Sequence, residues 1–359
     1  MFTIEQLTYF PSVHTAKGYR DLITSNLEGV KHVLFLEGAT HKDRQQCMHY
    51  FIEKWQNDGE QFEVLLNGLD RTNMTGVINR QLSSAIIDRT NHPDYSLENT
   101  GRSEQLIDLT IFTKATDLPN NSTEKIKYRN DKEQALQSAY KSFATGLDIH
   151  DQLEKIYIER MDFQTANLIT TELIDQIFSH KSNQATDAVT RHRFLGASTA
   201  TGVYDYIETL TNQLNKRYFI KGRAGTGKST MLKQIIAKAE SLNYQVEAYH
   251  CGFDPDSYDM VIIRELSTAI FDSTSPHLYQ PSRHRDELID LYQTCVEPGT
   301  DEKYQTEIDA LTVQYKSYIH EGMRYLAQAK EAEQKLDALT QAIADHNKLI
   351  TELDGLLKQ

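Results

Sequence analysis

Gly222, Gly227, Lys228 and Ser229 stand in the spacing G-x-x-x-x-G-K-S, a spacing suited to holding polyphosphate. Glycine lets the backbone curl until successive N–H groups face one centre, and a helix starting at the lysine aims its positive end there. In the run Gly222-Arg223-Ala224-Gly225-Thr226-Gly227-Lys228-Ser229, the backbone of Gly222, Ala224, Gly225, Thr226 and Gly227 makes the cradle. Lys228 reaches the terminal phosphate oxygens, Ser229 offers its hydroxyl to Mg²⁺, and Thr230 sits beside the α-phosphate. Such a site also needs a carboxylate to orient the metal, at the end of a neighbouring strand. Asp272, after Ala269-Ile270-Phe271, suits that role or that of a strand-end cap. Asp254, with Asp256 and Asp259 nearby, reads either as a base activating a phosphoryl acceptor or as part of a polar turn. Arg283, in the cluster Arg283-His284-Arg285 after Pro281, is a candidate lid arginine for a transferred phosphoryl group, or a solvated surface charge.

A loop of this kind must be held between a strand and a helix. Arg217-Tyr218-Phe219-Ile220 reads as a buried strand, and Met231, Leu232, Ile235 and Ile236 line one face of a helix from about Ser229 to Ser241. Gln245–His250 alternates as a second strand, and Thr268–Phe271 is a third. Strands alternating with helices predict a parallel sheet with helices on both faces. Further on, Tyr304, Ile308, Leu311, Tyr315, Ile319, Met323 and Leu326 recur at helical spacing without a proline, as do Leu136, Tyr140, Phe143, Leu147, Leu153 and Ile156. Runs this long predict antiparallel helical hairpins, packing within the chain or offering a face to a protein partner or a second copy.

The chain repeats itself. A shift of 184 residues places Phe35-Leu36-Glu37-Gly38 on Phe219-Ile220-Lys221-Gly222, Asp70 on Asp254, and Ala85-Ile86-Ile87-Asp88 on Ala269-Ile270-Phe271-Asp272. Between positions 10 and 91 the shift gives 23 identities in 82 ungapped pairs, against roughly 5 from ordinary residue usage. The expected units are 1–185 (α/β part about 8–112, helical part about 125–180) and 190–359 (about 192–297 and 300–358), joined by the polar run Ser179–Thr186. Under the same shift Gly225, Gly227, Lys228 and Ser229 fall on His41, Asp43, Arg44 and Gln45. Without those glycines the first half is expected to have lost the cradle, leaving one nucleotide site, in the second half.

Composition bounds the partners. A formal net charge of −13 over 359 residues argues against nucleic acid and against a membrane surface. No apolar run reaches membrane-spanning length and no secretory leader is visible at Met1–Gln6, so a cytoplasmic location is expected. Cys47, Cys251 and Cys295 stand far apart without metal-ligand spacing, as expected of small buried side chains in a reducing compartment.

On Gly222–Ser229, Tyr249–Ser257 and Ala269–His277, the chain resembles the P-loop NTPase superfamily. It is similar to a sparsely characterised bacterial family of duplicated P-loop proteins labelled ATPase or nucleotide-binding. The resemblance implies tandem P-loop domains and binding of ATP with Mg²⁺. The absence of a guanine-reading Asn-Lys-x-Asp motif favours ATP over GTP. Three functions follow as expectations: an ATPase with its one active site in the C-terminal half, a kinase for a small molecule or nucleotide, or a nucleotide-controlled scaffold with little turnover. Members of the family can carry the loop in both halves; this chain departs from that at Asp43-Arg44-Gln45.

Overall fold

A computed structural model describes residues 6–97, 103–113, 122–179, 188–340 and 342–356; beyond Ser179, the expected linker up to Thr186 lies outside the described residues. The N-terminal half runs β1 (Leu7–Tyr9), β2 (Ser12–Thr15), β3 (Gly18–Asp21), α1 (Ile23–Asn26), β4 (His32–Glu37), α2 (His41–Asn57), β5 (Glu63–Leu66), β6 (Met74–Asn79), β7 (Ser84–Asp88) and β8 (Ser103–Asp108), then α3 (Thr123–Ile158) and α4 (Phe163–Ile177). The second half repeats this order with one helix, α7, added before the long one. It runs β9 (Thr190–Phe194), β10 (Gly196–Thr199), β11 (Gly202–Asp205), α5 (Ile207–Thr211), β12 (Lys216–Lys221), α6 (Lys228–Ser241), β13 (Val246–His250), β14 (Tyr258–Ile263), β15 (Thr268–Asp272), β16 (Asp286–Asp290), α7 (Leu291–Cys295), α8 (Thr300–Ala338) and α9 (His346–Leu356). Strands β2, β3, β4, β6 and β7 reappear 184 residues later with identical bounds.

Each half builds a six-stranded sheet, in the orders β1-β5-β6-β7-β4-β8 and β9-β13-β14-β15-β12-β16. The sheets are mixed α/β sheets, which corrects the all-parallel expectation. β6 runs antiparallel to β5 and β7, and β14 antiparallel to β13 and β15. The links at 67–73 and 80–83, and their repeats, are hairpin turns too short for the crossover that a parallel pair requires. Both loop-bearing strands remain parallel to both neighbours: β4 to β7 and β8, and β12 to β15 and β16.

The helical segments also differ from expectation. Neither folds back on itself as a hairpin. α3 is one helix of 36 residues and α8 one of 39, and they pair antiparallel across the two halves. Lys132 bonds Glu333 at 2.6 Å at one end, Ser142 donates to the Tyr318 carbonyl in the middle, and Tyr157 donates to Asp301 at the other end. Gly322 admits the Phe143 ring, which a Cβ there would overlap. Each arm thus closes over the opposite half. Leu153, Ile156, Tyr157, Met161, Leu173 and Ile177 of the first half complete the core beneath α6. Ile343, Leu349 and Leu353 of the second half complete the core beneath α2. Lys54 of α2 pairs with Asp354.

Contacts between the halves are reciprocal. Phe10 and Phe194 exchange backbone hydrogen bonds at 3.0 Å; Ala16 donates to the Phe253 carbonyl at 3.0 Å and its repeat Ala200 donates to that of Leu69 at 3.0 Å. This is the pattern of a two-fold interface formed inside one chain. The sheet faces turned away from α2 and α6 share one core, with Phe35, Leu65 and Ile87 on one side and Phe219, Tyr249 and Phe271 on the other.

Candidate functional site

The Gly222–Ser229 loop leaves the end of β12 and enters α6, whose N-cap is Gly227 at φ +83°, with no side chain capping it. Gly225 also lies in the left-handed region, at φ +75°, where only glycine is free of strain. Gly222 is buried, and a Cβ there would overlap the Thr226 hydroxyl. Thr226 in turn donates to the Arg223 carbonyl at 2.8 Å, tying the loop across itself. The first amides of α6, from Lys228, Ser229 and Thr230, have no partner within their own helix, and the helix dipole adds positive potential at that end. Ala224 packs against the core beneath α6, and Thr230 is exposed.

Lys228 donates to the Arg223 carbonyl at 2.8 Å and lies 3.5 Å from Asp272. Asp272 ends β15, whose register places it beside Ile220 at the mouth of the loop. Its other oxygen accepts from the Thr274 amide at 2.8 Å, so the carboxylate is oriented as well as close. The Ser229 hydroxyl accepts from the Tyr258 amide at 3.0 Å and keeps its own proton for another partner. Among the described residues no group of three or more His, Cys, Asp or Glu side chains converges to hold a metal.

The first half has the same contacts with different side chains. Arg44, on the repeat position of Lys228, donates to the carbonyl of Ala39, the repeat of Arg223, at 3.0 Å. It also pairs at 2.9 Å with Asp88, the repeat of Asp272. Gln45 accepts from the Met74 amide at 2.9 Å, as Ser229 does from Tyr258. The N-terminus is nevertheless closed. α2 starts at His41 behind Thr40, three residues earlier in the repeat than α6, and Thr40 with Asp43 forms a capping box. The Asp43 carboxylate accepts from the Thr40 amide at 3.0 Å, from the Thr40 hydroxyl at 2.6 Å and from the Ile343 amide at 3.2 Å, with His346 at 3.1 Å. An internal anion therefore fills the end of α2.

The remaining predicted residues divide. Asp254 follows β13 at the loop edge of the sheet, but Lys17, from the hairpin of the other half, holds it at 2.7 Å together with Asp256. Arg283 is not at the site. β16 begins beside Arg217 at the opposite end of β12, and Arg283 there donates to the carbonyls of Thr211, Asn212 and Leu214. It ties a turn on the far edge and cannot serve as a lid. Arg223 pairs with Asp301 at 2.7 Å and stacks over the Tyr292 ring. His250 packs among His192, Phe194 and Tyr258, as a core histidine.

Sequence reasoning missed three groups, the first two of them near the loop. The last turns of α3 bring His150 and Glu154 to it, 3.8 Å apart; burial lowers the His150 pKa and raises that of Glu154, and both groups feel Lys228 and Asp254. Lys17 arrives by the reciprocal docking of the hairpins. The third is a buried set on β11, β14 and the segment after β15. His277 lies 2.8 Å from Asp205 and 3.5 Å from Asp259. Burial disfavours its charge, but these two carboxylates prevail and raise its pKa to about 10. In the repeat, His92 makes the same contacts with Asp21 and Thr75, each at 2.8 Å. The signal that could have found this set was the conserved offset between the halves at Asp21 and Asp205.

No helix among the described residues is long and apolar enough to cross a membrane. No family model, curated protein or solved structure matches the chain.

Proposed function

We propose that the loop Gly222–Ser229 is a P-loop, that it binds the phosphates of ATP with Mg²⁺, and that the C-terminal half is an ATPase with the chain's single nucleotide site. The observation that carries this reading is the contrast between the two helix N-termini. A cation, a carboxylate and a polar acceptor occupy corresponding positions in both halves, as Lys228, Asp272 and the Ser229 hydroxyl or as Arg44, Asp88 and the Gln45 amide. Only α2 carries its own capping anion; α6 has glycine at the N-cap and no side-chain cap.

The chemistry of the donors fits a triphosphate and magnesium. A helix N-terminus preceded by glycines at positive φ binds phosphate through backbone amides. Mg²⁺ is commonly held by only one or two protein oxygens together with phosphate oxygens; Ser229 and Asp272 would supply them. The metal, when bound, neutralises charge on the transferring phosphoryl group. Lys228 exchanges the Arg223 carbonyl for phosphate oxygens, and Asp272 holds the lysine at the strand end. Transfer to a small-molecule acceptor instead of water would require Asp254 to leave Lys17, and no predicted arginine stands ready beside it.

Titration calorimetry of the full chain with Mg-ATP and Mg-GTP, alongside phosphate release, tests the proposal. Binding of ATP that disappears in Lys228→Ala is the expected result. Equal affinity in that variant would sink it.

A further inference from the structure

The end of α3 lies directly on the Gly222–Ser229 loop. A Cβ on Gly225 would stand 2.8 Å from the Glu154 carbonyl oxygen, 3.2 Å from the Glu154 Cβ and 2.8 Å from Ile158 Cγ1, and one on Gly227 would stand 4.0 Å from Met161 Cε. This contact is fixed from beyond as well. After α3 the chain is pinned to the second half by backbone bonds from Asp162 to the Cys295 carbonyl at 2.7 Å and from Glu297 to that of Arg160 at 3.0 Å. Glu154 thus belongs to the first half and rests on the loop of the second.

The two arms meet their loops with opposite polarity. In the first half the loop supplies the carboxylate, Asp43, and the arm supplies the donors, the Ile343 amide and His346. In the second half the loop carries amides and Lys228, and the arm lays a carboxylate-bearing residue, Glu154, against Gly225. Burial and the neighbouring Asp151 raise the Glu154 pKa, while Lys228 and the Gly225 amide oppose that rise. The other cations of the loop are satisfied internally too: Lys228 by the Arg223 carbonyl and Asp272, and Arg223 by Asp301 at the start of α8.

We propose that Glu154 is a built-in competitor for the phosphate seat, so that nucleotide must displace the end of α3 to bind and thereby signals its presence to the α3–α8 pair. This rests on the phosphate-binding reading of the loop and gives that site its regulation. A carboxylate lying against the loop and a triphosphate seated on it repel each other across a few ångströms. The degenerate half then serves as the holder of the gate. α3 starts on the first half, spans the molecule, and ends on the loop of the second.

The test uses the full-length protein, its Glu154→Gln variant and, as a second lesion, Ile158→Ala, each checked for folding by thermal unfolding. Calorimetry with Mg-ATP and with inorganic tripolyphosphate measures affinity. Hydrogen exchange over 154–161 follows the end of α3. Glu154→Gln is expected to bind both probes about tenfold tighter than wild type or better, and Ile158→Ala more weakly in the same direction. Mg-ATP is expected to reduce protection at 154–161 in wild type. If wild type binds ATP but Glu154→Gln binds within twofold of it or more weakly, or protection at 154–161 does not change, the gate is overturned while the site stands. If neither wild type nor the variant binds ATP, GTP or tripolyphosphate, the phosphate-binding reading itself falls.

Discussion

Arg44 and Asp88 form a buried ion pair at 2.9 Å on the positions that the repeat assigns to Lys228 and Asp272, which lie 3.5 Å apart. The pair therefore joins the helix that follows one strand to the end of the neighbouring parallel strand, and it outlives the loop. What separates the halves is the backbone. Three residues that form an open loop before α6 are wound into the first turn of α2. The pair is structural where the anion is internal; on the proposed reading it serves chemistry where the helix end has no capping side chain.

Opposite outcomes are therefore expected from two lysine-and-arginine variants. Lys228→Ala removes a charged phosphate contact, and ATP affinity should fall by a factor of roughly ten to a hundred or more, with little change in melting temperature. Arg44→Ala leaves the fully buried Asp88 unpaired, and should cost about 3–5 kcal/mol of stability. Its ATP affinity, measured below the melting temperature, should match wild type. Nucleotide binding that responds to Arg44 instead of Lys228 would reverse the assignment of the two halves.

Gly225→Ala and Gly18→Ala form a second comparison. Both glycines are left-handed, at φ +75° and +89°, but nothing stands within 4 Å of a Cβ on Gly18, whereas one on Gly225 meets Glu154 and Ile158. Gly18→Ala should carry only backbone strain of about 1–2 kcal/mol. Gly225→Ala should add the cost of pushing α3 off the loop, a further ~1–3 kcal/mol. Chemical denaturation of both variants measures the difference; equal losses would mean that α3 does not bear on the loop in solution.

Much of the α/β part was legible because its signals are local. Gly222, Gly227, Lys228 and Ser229 mark the loop, the 184-residue shift reproduces the strand bounds, and Asp272 lies at the strand end its apolar run indicated. The antiparallel β6 and β14 were missed because a buried strand has the same apolar pattern in either direction. The crossing of α3 and α8 was missed for a related reason. The periodicity from Leu136 to Ile156 defines an apolar face but does not name the helix it faces. Arg283 was misplaced because chain order puts it after β15 near the loop, while the register of β16 carries it to the far end of β12. Glu154 and Lys17 reach the site through contacts between halves, which a repeat in one chain does not reveal.

Arg193 joins those halves. Its side chain is almost wholly buried, 3.2 Å from Glu63 of the first half and 3.3 Å from Glu247 of the second, over the Tyr9 ring and bonded to Asn26. Burial pushes both glutamate pKa values up, but Arg193 with Arg80 or Arg264 holds them below the ordinary carboxylate range. A depressed folded pKa gives stability that is present above the unfolded pKa, near 4.3, and is lost as pH falls through the folded values. Arg193→Met should cost about 3–5 kcal/mol at neutral pH. Urea titrations at several acidic pH values should also show a shallower loss of stability in the variant than in wild type. A variant as stable as wild type at neutral pH would remove Arg193 from the interface energetics.

His277 predicts the opposite trend with pH. It sits between Asp205 and Asp259, with Tyr279 donating to Asp205 at 2.7 Å. Although burial opposes its charge, the two carboxylates raise its pKa to about 10, against an unfolded value near 6.5. A raised folded pKa means that the stabilisation is complete below the unfolded pKa and is lost as pH rises through the folded one. Between those values the folded chain holds one proton more than the unfolded chain at this residue. Its stability should therefore fall with pH by up to about 1.4 kcal/mol per pH unit from this group. His277→Gln should remove that slope from denaturation curves collected between pH 6.5 and 10, while other titrating groups remain common to both proteins. Parallel pH profiles for the variant and wild type would show that the Asp205–His277–Asp259 set holds no extra proton in the folded state.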